Sequence, residues 1–270
     1  MLPTGAFAHF HTPTCIRNTK AAIIAILVIA ANEIVSMSTL FISDLHLDAS
    51  QPQINNTFFY FLEHIAPTAD ALYILGDLFE LAIGDDDNTV FTQSIIRALS
   101  RIIEKGVPVF LMHGNRDFLI GKSFATRSGV TLISDPTVIE LNNQKILLMH
   151  GDSLCTQDKS HQRFRKITHN KIIQKLFLSL PLSFRRKIAN QMRKESVQYN
   201  SKKSAEIMDV TESAVDAAIK KYHASKLIHG HTHKPHLGEK RIVLDAWHNH
   251  GNYLQVDHDG KMILINIPQQ

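Results

Sequence analysis

Five short polar blocks, each standing at the end of an apolar run, constrain this chain more than anything else in it. The blocks are Asp44-Leu45-His46, Gly76-Asp77, Gly114-Asn115-Arg116-Asp117, His150-Gly151-Asp152 and Gly230-His231-Thr232-His233. The runs before them are Leu40 to Ile42, Ala71 to Leu75, Val107 to Met112, Ile146 to Met149 and Leu227 to Ile228. Short, continuous apolar stretches bounded by Gly or Asp predict buried strands. In layered α/β folds the reactive crevice lies beyond the carboxyl ends of the strands, so five blocks in that relation predict one assembled site. Asp44 and His46 are two residues apart, as are His231 and His233, and on an extended chain that spacing turns both side chains to one side. The glycines at 76, 114, 151 and 230 allow tight turns and close backbone approach.

The residue types indicate the chemistry. Asp44, His46, Asp77, Asn115, His150, His231 and His233 mix hard oxygen donors with imidazoles and include no thiolate. That set suits manganese, iron or zinc in a reactive site rather than a structural Cys-type zinc site. Seven ligands exceed the need of one tetrahedral ion. Two ions about 3.5 to 4 Å apart, bridged by a carboxylate, use that many and clamp the attacking and leaving oxygens of a phosphoryl displacement. Asp77 is the natural bridge. The chain has 16 His, and a lone His near an apolar run is more often a hydrogen-bonded core residue, so histidines outside the blocks receive no role. Asp117, Asp152 and Asp245 read as turn residues or as carboxylates that orient ligand imidazoles.

In this order, D-x-H, G-D, G-N-x-D, H-G-D and G-H-T-H resemble the calcineurin-type metallophosphoesterases, from Asp44 to His233. The resemblance implies a four-layer α/β/β/α sandwich, a dinuclear centre with a metal-bridging hydroxide as nucleophile, and a phosphoester or phosphoanhydride substrate. Many members carry a His after the Asn to protonate the leaving group, where this chain has Arg116. Arginine cannot give up its proton but grips phosphate oxygens bidentately, which suits a phosphate leaving group better than an alkoxide.

Gly76-Asp77-Leu78-Phe79-Glu80, Ile83-Gly84-Asp85-Asp86-Asp87, Gly114 to Leu119 and Ile228 to His233 narrow the resemblance to the UDP-2,3-diacylglucosamine diphosphatases of lipid A biosynthesis. That family implies water attack on the α-phosphorus, release of UMP and the diacylated sugar 1-phosphate, and two Mn2+ per chain. It implies catalytic roles for Asp77, Asn115, Arg116 and His231, and substrate contacts at Asn115, Arg116, Asp158, Ser196, Asn200, Lys203 and His231. The family often has a Trp before its Ile-Gly-Asp-Asp stretch, where Ala82 stands here, a change that bears on the shape of the acyl pocket.

Charge is distributed unevenly. Between Lys159 and Lys194 there are 11 Lys or Arg and no Asp or Glu, which leaves 18 basic residues against 25 acidic in the rest of the chain. The same block carries Ile172-Ile173, Leu176-Phe177-Leu178, Leu180-Pro181-Leu182 and Phe184. A stretch at once cationic and apolar fits a helix lying on anionic lipid. Strand-binding grooves pair cations with stacking aromatics, which argues against a nucleic-acid partner. Residues from about 155 to 200 therefore read as a helical insertion over the site, a lid that takes phosphate and acyl chains. The expected setting is cytoplasmic and peripheral, on the cytoplasmic face of the inner membrane, with no obligate protein partner.

Residues 1–36 stand apart from this pattern. Arg17 and Lys20 precede an apolar run of 11, Ala21 to Ala31, short of the roughly 20 residues a spanning helix needs. A secretory signal, a membrane tether and an upstream extension before a functional start at Met37 all fit, and the extension is favoured because a UDP-sugar is a cytosolic metabolite. Cys15 and Cys155 give no disulfide framework. Residues 37–270 suffice for one metallophosphoesterase domain with its insertion. Helices are expected at Asn55 to Ile65, Thr89 to Lys105, within the insertion, and from Asp209, in capping-box spacing with Glu212, to Tyr222. Strands are expected at Arg241 to Ala246, Tyr253 to Val256 and Met262 to Ile267. The rival functions are another metallophosphoesterase, such as a nuclease or phosphodiesterase, and a non-catalytic scaffold of the same fold. The scaffold is disfavoured because no ligand position is substituted.

Overall fold

The computed structural model describes residues 38–200 and 207–270, with only the backbone of 197–200. The readings of residues 1–36, of Lys203 and of the Asn200 side chain lie outside the described residues.

Two sheets form the centre. Strands β1 (Thr39–Ile42), β2 (Ala71–Leu75), β3 (Val109–Met112) and β4 (Thr131–Ile133) run parallel in one sheet. Antiparallel β10 (Gly251–Val256) and β11 (Met262–Ile267) extend it on the β1 side. In the second sheet β6 (Gln144–Met149), β7 (Lys226–His229) and β9 (Arg241–Val243) are parallel, flanked by β5 (Thr137–Leu141) and the short β8 (His236–Leu237). Every strand that precedes a polar block belongs to a parallel set, so the blocks emerge at matching strand ends.

Side-chain alternation explains why those runs are apolar throughout. On β1, Leu40 and Ile42 face a helical layer while Phe41 faces the second sheet. On β6, Ile146 and Leu148 join Phe41, Leu75 and Met112 between the sheets, whereas Leu147 and Met149 pack with Val215 of a helix beyond. Strands covered on both faces lose the apolar-polar alternation of half-exposed ones. Three apolar clusters thus separate four layers: helices, sheet, sheet, helix. The first helical layer holds α1 (Pro52–Tyr60), α2 (Val90–Glu104) and α3 (Lys122–Ser128), and the last holds α7 (Glu212–Tyr222).

Local chemistry sets the helix ends. The Thr89 hydroxyl accepts the Thr92 N–H at 3.0 Å and starts α2, whose Ile95, Leu99 and Ile102 repeat at helical spacing into the core. α1 begins three residues earlier than its pattern predicts, because Pro52 sits at a first-turn position where no N–H is needed. After Tyr60 it widens over Phe61–Ile65 before Pro67 ends it. α7 starts at Glu212 with Thr211 before it, not at Asp209. Asp209 instead accepts the Val210 N–H and pairs with Lys234 at 2.7 Å. β5 and β6 are joined by Asn142-Asn143, both left-handed (φ 50° and 59°), the turn that matches strand twist.

Between β6 and β7 the chain leaves the sandwich for α4 (Lys159–Thr168), α5 (Lys171–Leu178) and α6 (Leu182–Asn200). Asp158 caps α4, accepting the His161 N–H at 3.0 Å, and Asn170 caps α5.

Candidate metal centre and the cavity beside it

The loops that carry the candidate ligands are stitched to one another before any side chain is considered. Asp44 and His46 donate their N–H groups to the Gly76 and Asp77 carbonyls at 3.1 and 3.0 Å. Asp117 ties the second and third loops together, its carboxylate accepting the Leu78 and Gly114 N–H groups at 2.7 Å each. Gly230 donates to the His150 carbonyl at 2.9 Å. Side chains at Gly114 and Gly230 would collide with the carboxylates of Asp77 and Asp44, so glycine is required for those carboxylates to stand where they do.

Backbone conformation marks the same residues. Asp44, His46, Asp77, His231 and His233 all have positive φ, between 50° and 69°. Each such non-glycine residue costs about 1–2 kcal/mol, a strain that persists only where the surrounding structure imposes it. The two-residue spacing was expected to act through extended chain. The structure differs, because past Ile42 and His229 the backbone turns through left-handed residues to swing the ligands across the strand ends.

The side chains converge. His46 Nε2 lies 3.4 Å from His233 Nε2, and Asp44 Oδ1 lies 3.4 Å from that same His233 nitrogen. Asp77 faces both sides of the cluster, with Oδ1 3.8 Å from His150 Nε2 and Oδ2 3.9 Å from His46 Nε2. Asn115 Oδ1 is 3.0 Å from His150 Nε2, and the His231 ring packs edge-on to the His150 ring at 5.1 Å. Among the described residues two groups have the compactness a cation needs: Asp44, His46 and His233, and Asp44, Asp77 and His150.

A divalent metal fits this arrangement. Asp44 Oδ1 is fully buried without a hydrogen-bond partner, and two imidazole nitrogens point at each other. Isolated buried acceptors of this kind are costly unless a cation satisfies them. His150 Nδ1 contacts the Leu75 carbonyl at 2.9 Å, which fixes its tautomer and turns Nε2 inward. Burial disfavours the His150 cation, but the carboxylates of Asp77, Asp44 and Asp152 outweigh it and raise the group to about 10, a measure of negative charge in want of a cation. Burial, aided by the charge on His150, drives His231 down to about 3.

Asp117, Asp152 and Asp245 were expected to turn the chain or to orient ligand imidazoles. Asp117 clamps backbone, Asp152 holds Arg165 Nε at 2.8 Å, and Asp245 accepts the Ala246 N–H. The orienting contact belongs to Glu80, which sequence reasoning missed: its Oε2 lies 3.1 Å from His46 Nδ1. Only the tertiary fold brings these two residues together, and the carboxylate has no ligand-type spacing to signal it.

A cavity of about 670 Å³ opens from this cluster. His46, Asp77, Asn115, Arg116, His231 and His233 line one end, with Asp158 and Ser196 also on its wall. Phe164, Ile167, Ile173, Phe177 and Met192 from the inserted helices, with Ala82, Ile83 and Leu119 from the core, form the apolar remainder. The basic block of the insertion divides by residue type. Arg165 pairs with Asp152, Arg185 with Asp86, Arg186 with Asp87, and Arg193 Nε with Glu80 Oε1 at 2.7 Å. Arg185 is buried and also donates to the Ile83 carbonyl. The six lysines of the block are all exposed. The planar guanidinium suits buried pairing and the strongly hydrated ammonium suits solvent, so these four arginines fasten the helices to the core while the lysines, with Arg163, face outward.

Residues 37–235 match the calcineurin-like phosphoesterase family. The chain is 50% identical over 234 residues to the UDP-2,3-diacylglucosamine hydrolase of Coxiella burnetii, covering 84% of this chain and 96% of that protein. It is 51% identical over 240 residues to the protein of that name from Pectobacterium carotovorum, covering 86% of this chain and 100% of the other. The counterpart from Yersinia enterocolitica is 50% identical over the same shares.

Proposed function

The chain belongs to the calcineurin-like phosphoesterases and is a hydrolase, and we propose that it cleaves the pyrophosphate bond of UDP-2,3-diacylglucosamine in lipid A biosynthesis. The products are UMP and 2,3-diacylglucosamine 1-phosphate. The observation that carries this reading is the continuity of one cavity from a carboxylate–imidazole cluster and Arg116 to the apolar side chains of α4 to α6. A substrate that joins a pyrophosphate to two acyl chains needs both ends at once. The names of relatives at about half identity over most of their length support the same substrate.

Two Mn2+ would be held by Asp44, His46, Asp77, Asn115, His150, His231 and His233. Such a pair supplies Lewis acidity and neutralises charge on phosphoryl oxygens during attack by water. The chain's own groups position the substrate. Arg116, with Asn115 and His231, grips phosphate oxygens, and the guanidinium stabilises the departing sugar phosphate without giving up a proton. Asp158, Ser196, Asn200 and Lys203 complete the substrate contacts. The apolar wall takes acyl carbons, each buried methylene contributing about 0.8 kcal/mol.

The outer face of the insertion supports a peripheral membrane setting. Ile172, Leu176 and Phe184 are more than half exposed, and Lys171 and Lys175 are exposed among them. Among the described residues no helix is long and apolar enough to cross a membrane. A surface of this kind rests on the anionic cytoplasmic leaflet.

Turnover in heavy-oxygen water tests the reaction. Label in UMP is expected, and label confined to the sugar phosphate would contradict attack at the α-phosphorus. Activity on bis(p-nitrophenyl) phosphate with none on the UDP-lipid would favour the nuclease reading.

A further inference from the structure

We infer that Glu80 is a positioning residue that links a metal ligand, a phosphate-gripping arginine and the inserted helices through one carboxylate. Its two oxygens are divided between tasks. Oε2 lies 3.1 Å from His46 Nδ1, while Oε1 lies 3.4 Å from Arg116 and 2.7 Å from Arg193 Nε on α6. Glu80 is 8% exposed, so these contacts operate away from bulk water, where each is worth more than a surface ion pair. The residue is delivered by backbone as well: its N–H donates to the Leu47 carbonyl at 3.1 Å, in the loop that carries His46. The Glu80 backbone is therefore tied directly to the loop that carries His46.

The contact with Nδ1 has a directional consequence. The negative charge 3.1 Å away favours the proton on Nδ1 electrostatically and leaves the Nε2 lone pair facing Asp44, Asp77 and His233, the tautomer in which an imidazole can bind a metal. Holding both guanidiniums by Oε1 fixes Arg116 at the mouth of the cluster and ties α6 to the same point. His150 obtains the same orientation from a backbone carbonyl. His46 depends on a side chain that substitution can remove.

This inference rests on the metal reading above, and the experiment separates the two. Mn2+ is titrated into the metal-stripped full chain, with free Mn2+ followed by its electron paramagnetic resonance. Wild type is expected to bind, and Glu80→Gln, which keeps the shape and removes the charge, to bind about 10- to 100-fold more weakly, the usual effect of losing an orienting partner. The Mn2+ concentration for half-maximal activity shifts by the same factor, and excess Mn2+ recovers kcat. Should Glu80→Gln lose its cooperative melting transition, Glu80→Asp serves: it keeps the charge and gives a smaller shift in the same direction. Affinity within twofold of wild type in the folded variant overturns the role of Glu80 alone. Failure of the wild type to bind Mn2+ overturns the metal reading and this inference with it.

Discussion

At one end of the cavity, the loops that carry the candidate ligands are fixed by left-handed backbone and mutual hydrogen bonds, with Asp44, His46, Asp77 and His150 buried. At the other, helices outside the sandwich present apolar side chains that are partly exposed, such as Phe164 at 39% and Ile173 at 40%. Under the proposed function, the difference follows from what each end recognises. Phosphoryl chemistry needs charges placed to within a fraction of an ångström before substrate arrives, and the strain of five left-handed residues is compatible with that demand. Acyl chains are flexible and bind by area, so half-exposed side chains on tethered helices suffice. Four arginines of the insertion, Arg165, Arg185, Arg186 and Arg193, join the two regimes, each anchored to a carboxylate of the sandwich.

The contrast is most easily broken at Asp77. Asp77→Ala is expected to lower kcat about 1,000-fold or more, since several kcal/mol of charge stabilisation is lost and each 1.4 kcal/mol or so is tenfold. Circular dichroism should remain that of the folded protein, and full activity would remove the bridge. Arg116→Lys keeps the charge and loses the fork, and kcat/KM should fall about 10- to 100-fold. At the apolar end the effect should be smaller and of another kind. Phe177→Ala is predicted to raise KM for the diacylated substrate about tenfold with kcat little changed, and to leave a short-acyl analogue unaffected. A fall in kcat with unchanged KM would mean that α5 takes part in the chemistry. The smallest effect belongs to the outer face. Ile172→Ser with Leu176→Ser should weaken sedimentation with phosphatidylglycerol vesicles several-fold and leave turnover of detergent-dispersed substrate unchanged.

Much of the first regime was legible in the sequence, because a short apolar run followed by Asp, His or Gly-Asn is a local signal. The expected strand at Ala71 to Leu75 coincides with β2, and the helix from Thr89 to Lys105 with α2 and its two caps. What escaped depends on distant partners. The charge of Arg185 reads as part of a lipid-facing block, yet the side chain is buried against the loop that holds Ile83 and Asp86. Glu80 gains its role from His46 and Arg193, which lie far from it in sequence on separate elements. β4 and β8, of three and two residues, are shorter than any periodic pattern can reveal. The left-handed backbone at Asp44 and His231 is imposed by loop packing and has no glycine to announce it.

The central claim is that the buried Asp and His cluster holds a pair of cations that lets this chain split a lipid-linked pyrophosphate. The most direct measurement is the manganese content of the purified full chain together with its release of UMP from UDP-2,3-diacylglucosamine. Two ions per chain, with UMP formation that a chelator abolishes and manganese restores, is the predicted result. Fewer than two ions in manganese-supplied protein, with the pyrophosphate left intact, would contradict it.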